Sequence, residues 1–227
     1  MEAHSRVRVK ICCISSVEEA RLAIGHGAAA VGLVSRMPSG PGVIAEELIA
    51  EIAATVPPGV ASFLLTSETD VGAIIEQQRR TRVNTLQLVD ALPEGAHQSL
   101  RRALPGVALV QVVHVAGQKS IAEAAAVAPH VDAILLDSGN PTLAVRELGG
   151  TGRVHDWEIS RKIRESVDCP VFVAGGLCPG NVREAILRIG PYGLDVCNGV
   201  RTNGKLDPAK LRAFFRGAEE SRSNLLV

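Results

Sequence analysis

Short runs of branched apolar residues alternate along the chain with windows rich in Ala, Leu, Glu and Arg. This alternation is typical of parallel strands joined by helices. We predict eight strands, at about 7–12, 29–35, 60–65, 84–89, 107–113, 132–137, 170–174 and 193–197. Helices are predicted near 16–26, 43–55, 69–80, 95–104, 118–128, 156–166, 180–188 and 207–217.

Eight such strand-helix units close naturally into a (β/α)8 TIM barrel, and 227 residues suit one barrel of this kind. A doubly wound open sheet is the alternative, but the first strand is not followed by the G-x-G-x-x-G typical of that fold. The pattern contains no linker and no low-complexity tract. We therefore predict a single barrel domain over residues 1–227.

Composition argues against several classes of partner. Lys plus Arg and Asp plus Glu are both 24, and aromatic residues make up 3%, which does not favour nucleic-acid binding. No apolar run approaches the length of a membrane span, and the polar start does not resemble a signal peptide. Five irregularly spaced cysteines fit a reducing compartment. We expect a cytoplasmic protein, and the sequence leaves open whether it is a monomer or a homodimer.

Glycine-rich segments follow the sixth, seventh and eighth predicted strands. In a TIM barrel the loops at the C-terminal strand ends form the active site, and those after strands seven and eight frequently hold a phosphate. Backbone N–H groups of glycines can turn towards an anion because no side chain blocks the approach, and a nearby helix N-terminus favours negative charge. We predict that a phosphate binds at Gly150, Thr151, Gly152, Gly175, Gly176, Asn198 and Gly199.

Two strand ends carry residues suited to proton transfer. Asp137 ends an otherwise apolar strand, and the long loop 138–155 that follows favours a functional role over a structural cap. Strand parity predicts that Lys10 and Cys12 face the barrel interior and that Cys13 faces the helices. Residue type alone leaves Cys12 open between a catalytic thiol and a small buried apolar side chain.

For His114 and for the cysteines near the barrel rim, a structural role is favoured over a functional one. At the end of strand five, His114 is more readily a hydrogen-bonded core histidine than a catalyst. Four of the cysteines fall near one barrel rim, but there is no C-x-x-C pair and the predicted parity separates Cys12 from Cys13. We therefore expect no metal site.

Five motifs, in order and spacing, resemble the phosphoribosylanthranilate isomerase family over nearly the whole chain. They are K-I-C-C-I at 10–14, L-L-D-S at 135–138, G-G-T-G with D-W at 149–157, A-G-G-L with N-V at 174–182, and D-V-C-N-G-V at 195–200. The resemblance implies an enzyme of tryptophan biosynthesis that needs no cofactor. Its reaction is an Amadori rearrangement of N-(5′-phosphoribosyl)anthranilate to 1-(2-carboxyphenylamino)-1-deoxyribulose 5-phosphate.

The resemblance also implies the roles of individual residues. It implies that Asp137 is the general acid that protonates the furanose ring oxygen, and that Cys12 is the general base that removes the C2 proton. The remaining substrate contacts are predicted for Lys10, Arg36, Gln87 and His114.

The chain departs from the family pattern at several positions. Cys13 occupies the position of a glycine, and Cys197 occupies the first serine of D-[VL]-S-S-G-V. Residues 39–42 read S-G-P-G in place of S-P-R-[YF], so the arginine that contacts the anthranilate carboxylate is absent, and residues 89–90 read V-D in place of H-G.

These departures leave alternatives open. Arg36 is predicted to replace the missing arginine, with His114 and Arg153 as alternatives. Two other functions remain: an Amadori-type isomerase acting on a different phosphorylated aldose or N-glycoside, and a catalytically weak phosphosugar-binding barrel.

Overall fold

The computed structural model describes residues 7–139 and 155–221. Strands β1–β8 span Arg8–Ile11, Ala30–Val34, Ala61–Thr66, Thr85–Leu88, Ala108–His114, Ala133–Asp137, Val171–Val173 and Gly193–Val196. Helices α1–α8 span Val17–Gly25, Glu46–Thr55, Val71–Thr81, Ala96–Ala103, Lys119–Val127, Trp157–Ser166, Val182–Ile189 and Pro208–Glu220.

The eight strands form one closed parallel barrel. They hydrogen-bond in chain order, and β8 pairs with β1 with Lys10 directly opposite Asp195. The predicted TIM barrel is therefore confirmed, and the open-sheet alternative is wrong. That residues 1–227 make a single domain stays a prediction, because the described ranges omit 140–154 and both chain ends.

Alternating side chains divide the apolar residues into two layers. One layer lies between the sheet and the helices, and includes Leu33, Leu64 and Leu136. The other fills the inside of the barrel, where Phe63 and Phe172 meet edge to face with ring centroids 6.0 Å apart. This inner packing closes the barrel interior and leaves the C-terminal strand ends to form a cavity.

Helix starts follow the expected capping chemistry. The Asp156 carboxylate accepts a hydrogen bond from the backbone N–H of Glu158 at 2.9 Å and caps α6. Pro208 is the first residue of α8, where a missing N–H is harmless.

A small antiparallel hairpin of β9 (Arg201–Thr202) and β10 (Lys205–Leu206) follows β8 and is not among the elements predicted from sequence. Its strands are two residues long, too short for a period-two pattern. In the described part of the chain, no helix is long and apolar enough to cross a membrane.

Candidate active site

A cavity of about 410 Å³ opens at the C-terminal ends of the barrel strands. Its walls come from the ends of β1, β3, β4, β6, β7 and β8 and from the loop after β2. The predicted site residues that line it are Cys12, Gln87, Asp137, Gly175, Gly176, Asn198 and Gly199. The predicted residues Gly150, Thr151 and Gly152 lie outside the described part of the chain, as does Arg153.

Asp137 is the buried acid of this cavity, with 8% of its surface exposed. Burial raises the pKa of its carboxyl to about 6, and the nearby Asp195 carboxylate adds to this effect. The backbone N–H of Ser138 donates to Asp137 Oδ1 at 2.7 Å and opposes the rise, as does the charge of Lys10. A carboxyl with this pKa can hold a proton near neutral pH and release it to a substrate.

Cys12 lies at the end of β1, where the absence of a side chain on Gly32 leaves room for it. A Cβ built on Gly32 would lie 2.9 Å from Cys12 Sγ and 3.0 Å from Lys10 Nζ. Both side chains therefore converge on the same space beside β2. Cys12 reaches the cavity lining, as its predicted inward parity requires.

Lys10 lies beneath the cavity rather than in its wall. It is fully buried, and its Nζ is 2.9 Å from Asp195 Oδ1 on the neighbouring strand. Burial alone would lower the pKa of Lys10, but Asp195 and the neighbouring Cys12 outweigh burial and raise it above its ordinary value. Its charge is paired one residue layer below the cavity lining, and a contact between Lys10 and the substrate stays a prediction.

Cys13 also differs from expectation. Strand β1 ends at Ile11, and Cys13 has a left-handed backbone with φ of 60°. Strand parity no longer applies there, so Cys13 turns away from the helices and lines the cavity beside Cys12. The prediction that it packs against the helices is wrong. The positive φ also explains why glycine suits this position in the family pattern.

Gln87 on β4 is a buried amide that lines the cavity. Among the described residues, its Oε1 has no hydrogen-bond partner. A buried acceptor without a partner is costly, and a hydroxyl or amine of a ligand would satisfy it. The geometry is thus compatible with the predicted substrate contact.

Arg36 and His114 do not line the cavity. Arg36 is exposed to solvent beyond the end of β2, and its replacement of the missing arginine stays a prediction. His114 is buried, with Nε2 3.3 Å from the backbone oxygen of Val89. Burial lowers its pKa and favours the neutral form of this backbone-bound histidine, and its contact with substrate stays a prediction.

The loops after β7 and β8 approach each other closely on one side of the cavity. A Cβ on Gly199 would lie 1.9 Å from the backbone oxygen of Leu177, so only glycine permits this approach. Asn181 braces the β7 loop: its Oδ1 accepts from the Cys178 N–H at 2.8 Å, and its Nδ2 donates to Gly176 O at 3.0 Å. This side of the cavity is where the phosphate is predicted to bind.

Comparison with known proteins agrees with this geometry. The family model described as N-(5'phosphoribosyl)anthranilate (PRA) isomerase matches residues 9–217. The chain belongs to the PRA isomerase family. The PRA isomerase 2 of Methanosarcina mazei is 37% identical over 215 residues, covering 94% of each chain. The enzyme of Haloferax volcanii is 36% identical over 217 residues, covering 95% of this chain and 94% of its own.

Solved PRA isomerase structures share the whole barrel. That of Thermotoga maritima superposes with a TM-score of 0.81 at 28% identity, over 94% of this chain and 99% of its own. That of Pyrococcus furiosus gives 0.79 at 26% identity, with the same coverage.

Two residues of the site were not singled out from sequence. Asp195 lines the cavity and forms an ion pair with Lys10. Its position opposite Lys10 in the pairing of β8 with β1 is the signal that could have indicated this ion pair. Arg201 Nη2 donates to the backbone oxygen of Cys13 at 2.6 Å and of Cys12 at 3.3 Å. Nothing in the local pattern around Arg201 indicates this contact, which depends on the β9–β10 hairpin.

No cluster of His, Cys, Asp or Glu among residues 7–139 and 155–221 has the arrangement of a metal site. Two of the cysteines near the rim, Cys13 and Cys197, form a sulfur contact of 2.7 Å.

Proposed function

We propose that this chain converts N-(5'-phosphoribosyl)anthranilate to 1-(2-carboxyphenylamino)-1-deoxyribulose 5-phosphate, a step of tryptophan biosynthesis. The observation that carries the proposal is that a buried acid, Asp137, and a thiol, Cys12, line one cavity beside two close glycine loops. A solved PRA isomerase in complex with reduced 1-(o-carboxyphenylamino)-1-deoxyribulose 5-phosphate has a TM-score of 0.78 to this chain at 26% identity.

Asp137 is proposed as the general acid. Its raised pKa keeps a fraction of the carboxyl protonated near neutral pH, because burial disfavours the charged form. The proton passes to the furanose ring oxygen, the bond from C1 to that oxygen breaks, and the nitrogen lone pair forms a Schiff base. The ring oxygen leaves as a neutral hydroxyl, the Schiff base nitrogen gains a positive charge, and Asp137 becomes a carboxylate, so the net charge of the buried site does not change.

Cys12 is proposed as the general base. Its thiolate takes the proton from C2, the electrons of the C2–H bond form a C1=C2 double bond, the C1=N π electrons move to nitrogen, and an enolamine forms. Tautomerisation of the enolamine gives the 2-ketose product. Lys10 acts from below: its ammonium, held by Asp195 at 2.9 Å, keeps a positive charge next to the thiol.

The phosphate is proposed to bind across the loops after β7 and β8. Gly175 and Gly176 line the cavity with positive φ, and no side chain at these positions blocks the approach of an anion to the backbone N–H groups. Asn198 and Gly199, in the adjacent loop after β8, also line the cavity. Gly150, Thr151 and Gly152 are proposed to complete this site from the loop after β6.

The substrate is a phosphorylated small molecule. We propose a cytoplasmic enzyme, in line with five cysteines that are all free. Monomer and homodimer remain the two proposed states, and the Thermotoga maritima relative has been described as dimeric.

The test is turnover of N-(5'-phosphoribosyl)anthranilate by the purified protein, followed through the loss of substrate fluorescence. Cys12→Ser and Asp137→Asn should each lower kcat by roughly 10²–10⁴, since each removes a positioned proton-transfer group. Cys169→Ser, at the opposite end of β7, is the control and should retain wild-type kcat. A wild-type protein that turns over only another phosphorylated N-glycoside would support the altered-substrate alternative. Phosphosugar binding without turnover would support the binding-only one.

A further inference from the structure

We propose that Cys13 and Cys197 form a reversible disulfide at the wall of the active-site cavity, and that this bond lowers turnover. Their Sγ atoms lie 2.7 Å apart, although the residues are 184 positions apart in sequence. Both are free thiols, and both line the cavity from which a small oxidant can approach. The effect on turnover rests on the proposed function, whereas bond formation does not.

The geometry favours a disulfide between Cys13 and Cys197 over one between the adjacent residues Cys12 and Cys13. A disulfide is about 2.05 Å long, so joining Cys13 to Cys197 requires a movement well under about 1 Å. Cys12 and Cys13 are adjacent across a trans peptide, with Cα atoms about 3.8 Å apart, below the roughly 4.4–6.8 Å that disulfides span. Oxidation should therefore join Cys13 to Cys197 and leave Cys12 a thiol.

Several contacts hold Cys13 in this position. Its positive φ turns the side chain into the cavity, and Arg201 Nη2 holds its backbone oxygen at 2.6 Å. Its Sγ lies 3.6 Å from the backbone oxygen of Pro41. A Cβ on Gly42 would lie 2.5 Å from Cys13 Cβ, so the glycine makes room for the thiol.

Both cysteines depart from the family pattern described above, which has glycine at position 13 and serine at position 197. Neither departure contributes a group to the proposed acid-base chemistry. A left-handed backbone is unfavourable at a residue with a Cβ, so cysteine at position 13 is not favoured by local conformation. The two departures nevertheless meet in one sulfur contact.

The environment assigns different roles to the two thiols. The hydrogen bond between the two thiols lowers the pKa of Cys197; burial opposes this, and Arg201 and Lys10 reinforce it. Hydrogen bonds with Cys12 and Cys197, together with burial, raise the pKa of Cys13. Cys197, which is only partly buried, is thus the nucleophile, and Cys13 is the resolving thiol.

The oxidant we name is a hydroperoxide, with hydrogen peroxide as the simplest case. The Cys197 thiolate attacks one oxygen, the O–O bond breaks, and hydroxide leaves and is protonated to water. The resulting sulfenic acid is attacked by the Cys13 sulfur, which loses its proton; the S–O bond breaks and a second water leaves. Two thiols are oxidised to one disulfide, and one peroxide is reduced to two waters.

A Cys13–Cys197 disulfide would affect two parts of the active site, one next to each cysteine. Cys13 is bonded to Cys12, the proposed base, and Cys197 is bonded to Asn198 in the proposed phosphate loop. Drawing the two loops together displaces both groups by a fraction of an ångström. Since small misplacements of a reacting group can cost up to about a hundredfold, we expect turnover to fall by about tenfold or more.

The experiment treats the full-length protein with hydrogen peroxide, alkylates the remaining thiols and maps disulfides by mass spectrometry of non-reduced peptides. We expect a Cys13–Cys197 cross-link with Cys12 still alkylated. Turnover should fall by about tenfold or more and should recover with dithiothreitol.

The variants Cys197→Ser and Cys13→Gly restore the family residues and should show no cross-link and no dithiothreitol-reversible loss, each measured against its own untreated rate. Cys169→Ser should behave as the wild type.

Oxidation confined to Cys12, or a cross-link between other cysteines, would overturn the proposal. A Cys13–Cys197 disulfide that leaves turnover unchanged would overturn the proposed effect on turnover, but not the proposed disulfide. An untreated wild type without turnover would count against the proposed function, while the cross-link map would still decide the bond.

Discussion

At the scale of single residues, catalysis and stability make opposite demands on Asp137. Its pKa rises from an ordinary 3.8 to about 6 mainly because the carboxyl is buried. The folded state therefore binds this proton more tightly than the unfolded state does. The resulting stabilisation is complete below about pH 3.8 and is lost as the pH rises through about 6. The proposed acid is thus a destabilising charge at the pH where the enzyme works.

We predict that Asp137→Asn is more stable than the wild type at about pH 8, by on the order of 1–3 kcal/mol, because the amide is never charged. Near pH 4 the difference should disappear, since the wild-type carboxyl is then neutral. Urea unfolding at the two pH values measures both. Asp168→Asn, at an exposed position, is the control and should show no such pH dependence. Equal stability of Asp137→Asn and wild type at about pH 8 would contradict the prediction.

Cys12 and Cys13 show where residue-scale reasoning from sequence succeeds and fails. Alternation along β1 placed Cys12 in the cavity lining because the strand continues almost to it. The same rule failed at Cys13, because its positive φ depends on the loop and on the contact with Arg201. The direction of a loop side chain such as Arg36 is likewise set by tertiary contacts, which hydrophobic periodicity does not encode.

At the scale of elements, hydrophobic periodicity was sufficient to locate all eight strands and helices within a few residues. Long strands and helices are predicted reliably because many of their residues follow the same hydrophobic period. The hairpin Arg201–Leu206 was missed because its strands are too short to show one. Loop contacts such as that between Gly199 and Leu177 O were also inaccessible, since sequence shows that a glycine is present and not what it approaches.

We predict that Gly199→Ala forces apart the loops after β7 and β8, because the added Cβ would lie 1.9 Å from Leu177 O. Backbone must move, and overpacking of this kind costs about 1–3 kcal/mol of unfolding free energy. The Michaelis constant should rise about tenfold if these loops hold the phosphate. Steady-state kinetics and thermal unfolding measure the two effects.

Gly25→Ala is the matched control, since a Cβ there meets no atom within 4 Å. It should leave the Michaelis constant and the stability nearly unchanged. If Gly199→Ala lost stability with an unchanged Michaelis constant, the phosphate assignment to this loop would be wrong.

At the scale of the whole molecule, the barrel depends on closing β8 against β1. Lys10 and Asp195 lie directly opposite each other in that pairing and form a buried ion pair of 2.9 Å. The pair therefore joins the first and last strands at the layer just below the active site. A strand pairing between residues 8 and 196 has a long sequence separation, so this closure is entropically costly during folding.

We predict that Lys10→Met lowers the free energy of unfolding by about 3–5 kcal/mol, because it leaves the Asp195 carboxylate buried without its partner. The double variant Lys10→Met with Asp195→Leu should recover most of that loss, since no unpaired charge then remains inside the barrel. The control is Arg188→Met, which breaks exposed ion pairs with Glu158 and Glu184 and should cost much less than Lys10→Met. Urea unfolding of the four proteins measures these differences. A double variant no more stable than Lys10→Met would show that the ion pair itself, rather than the avoidance of an unpaired charge, stabilises the closure of the barrel.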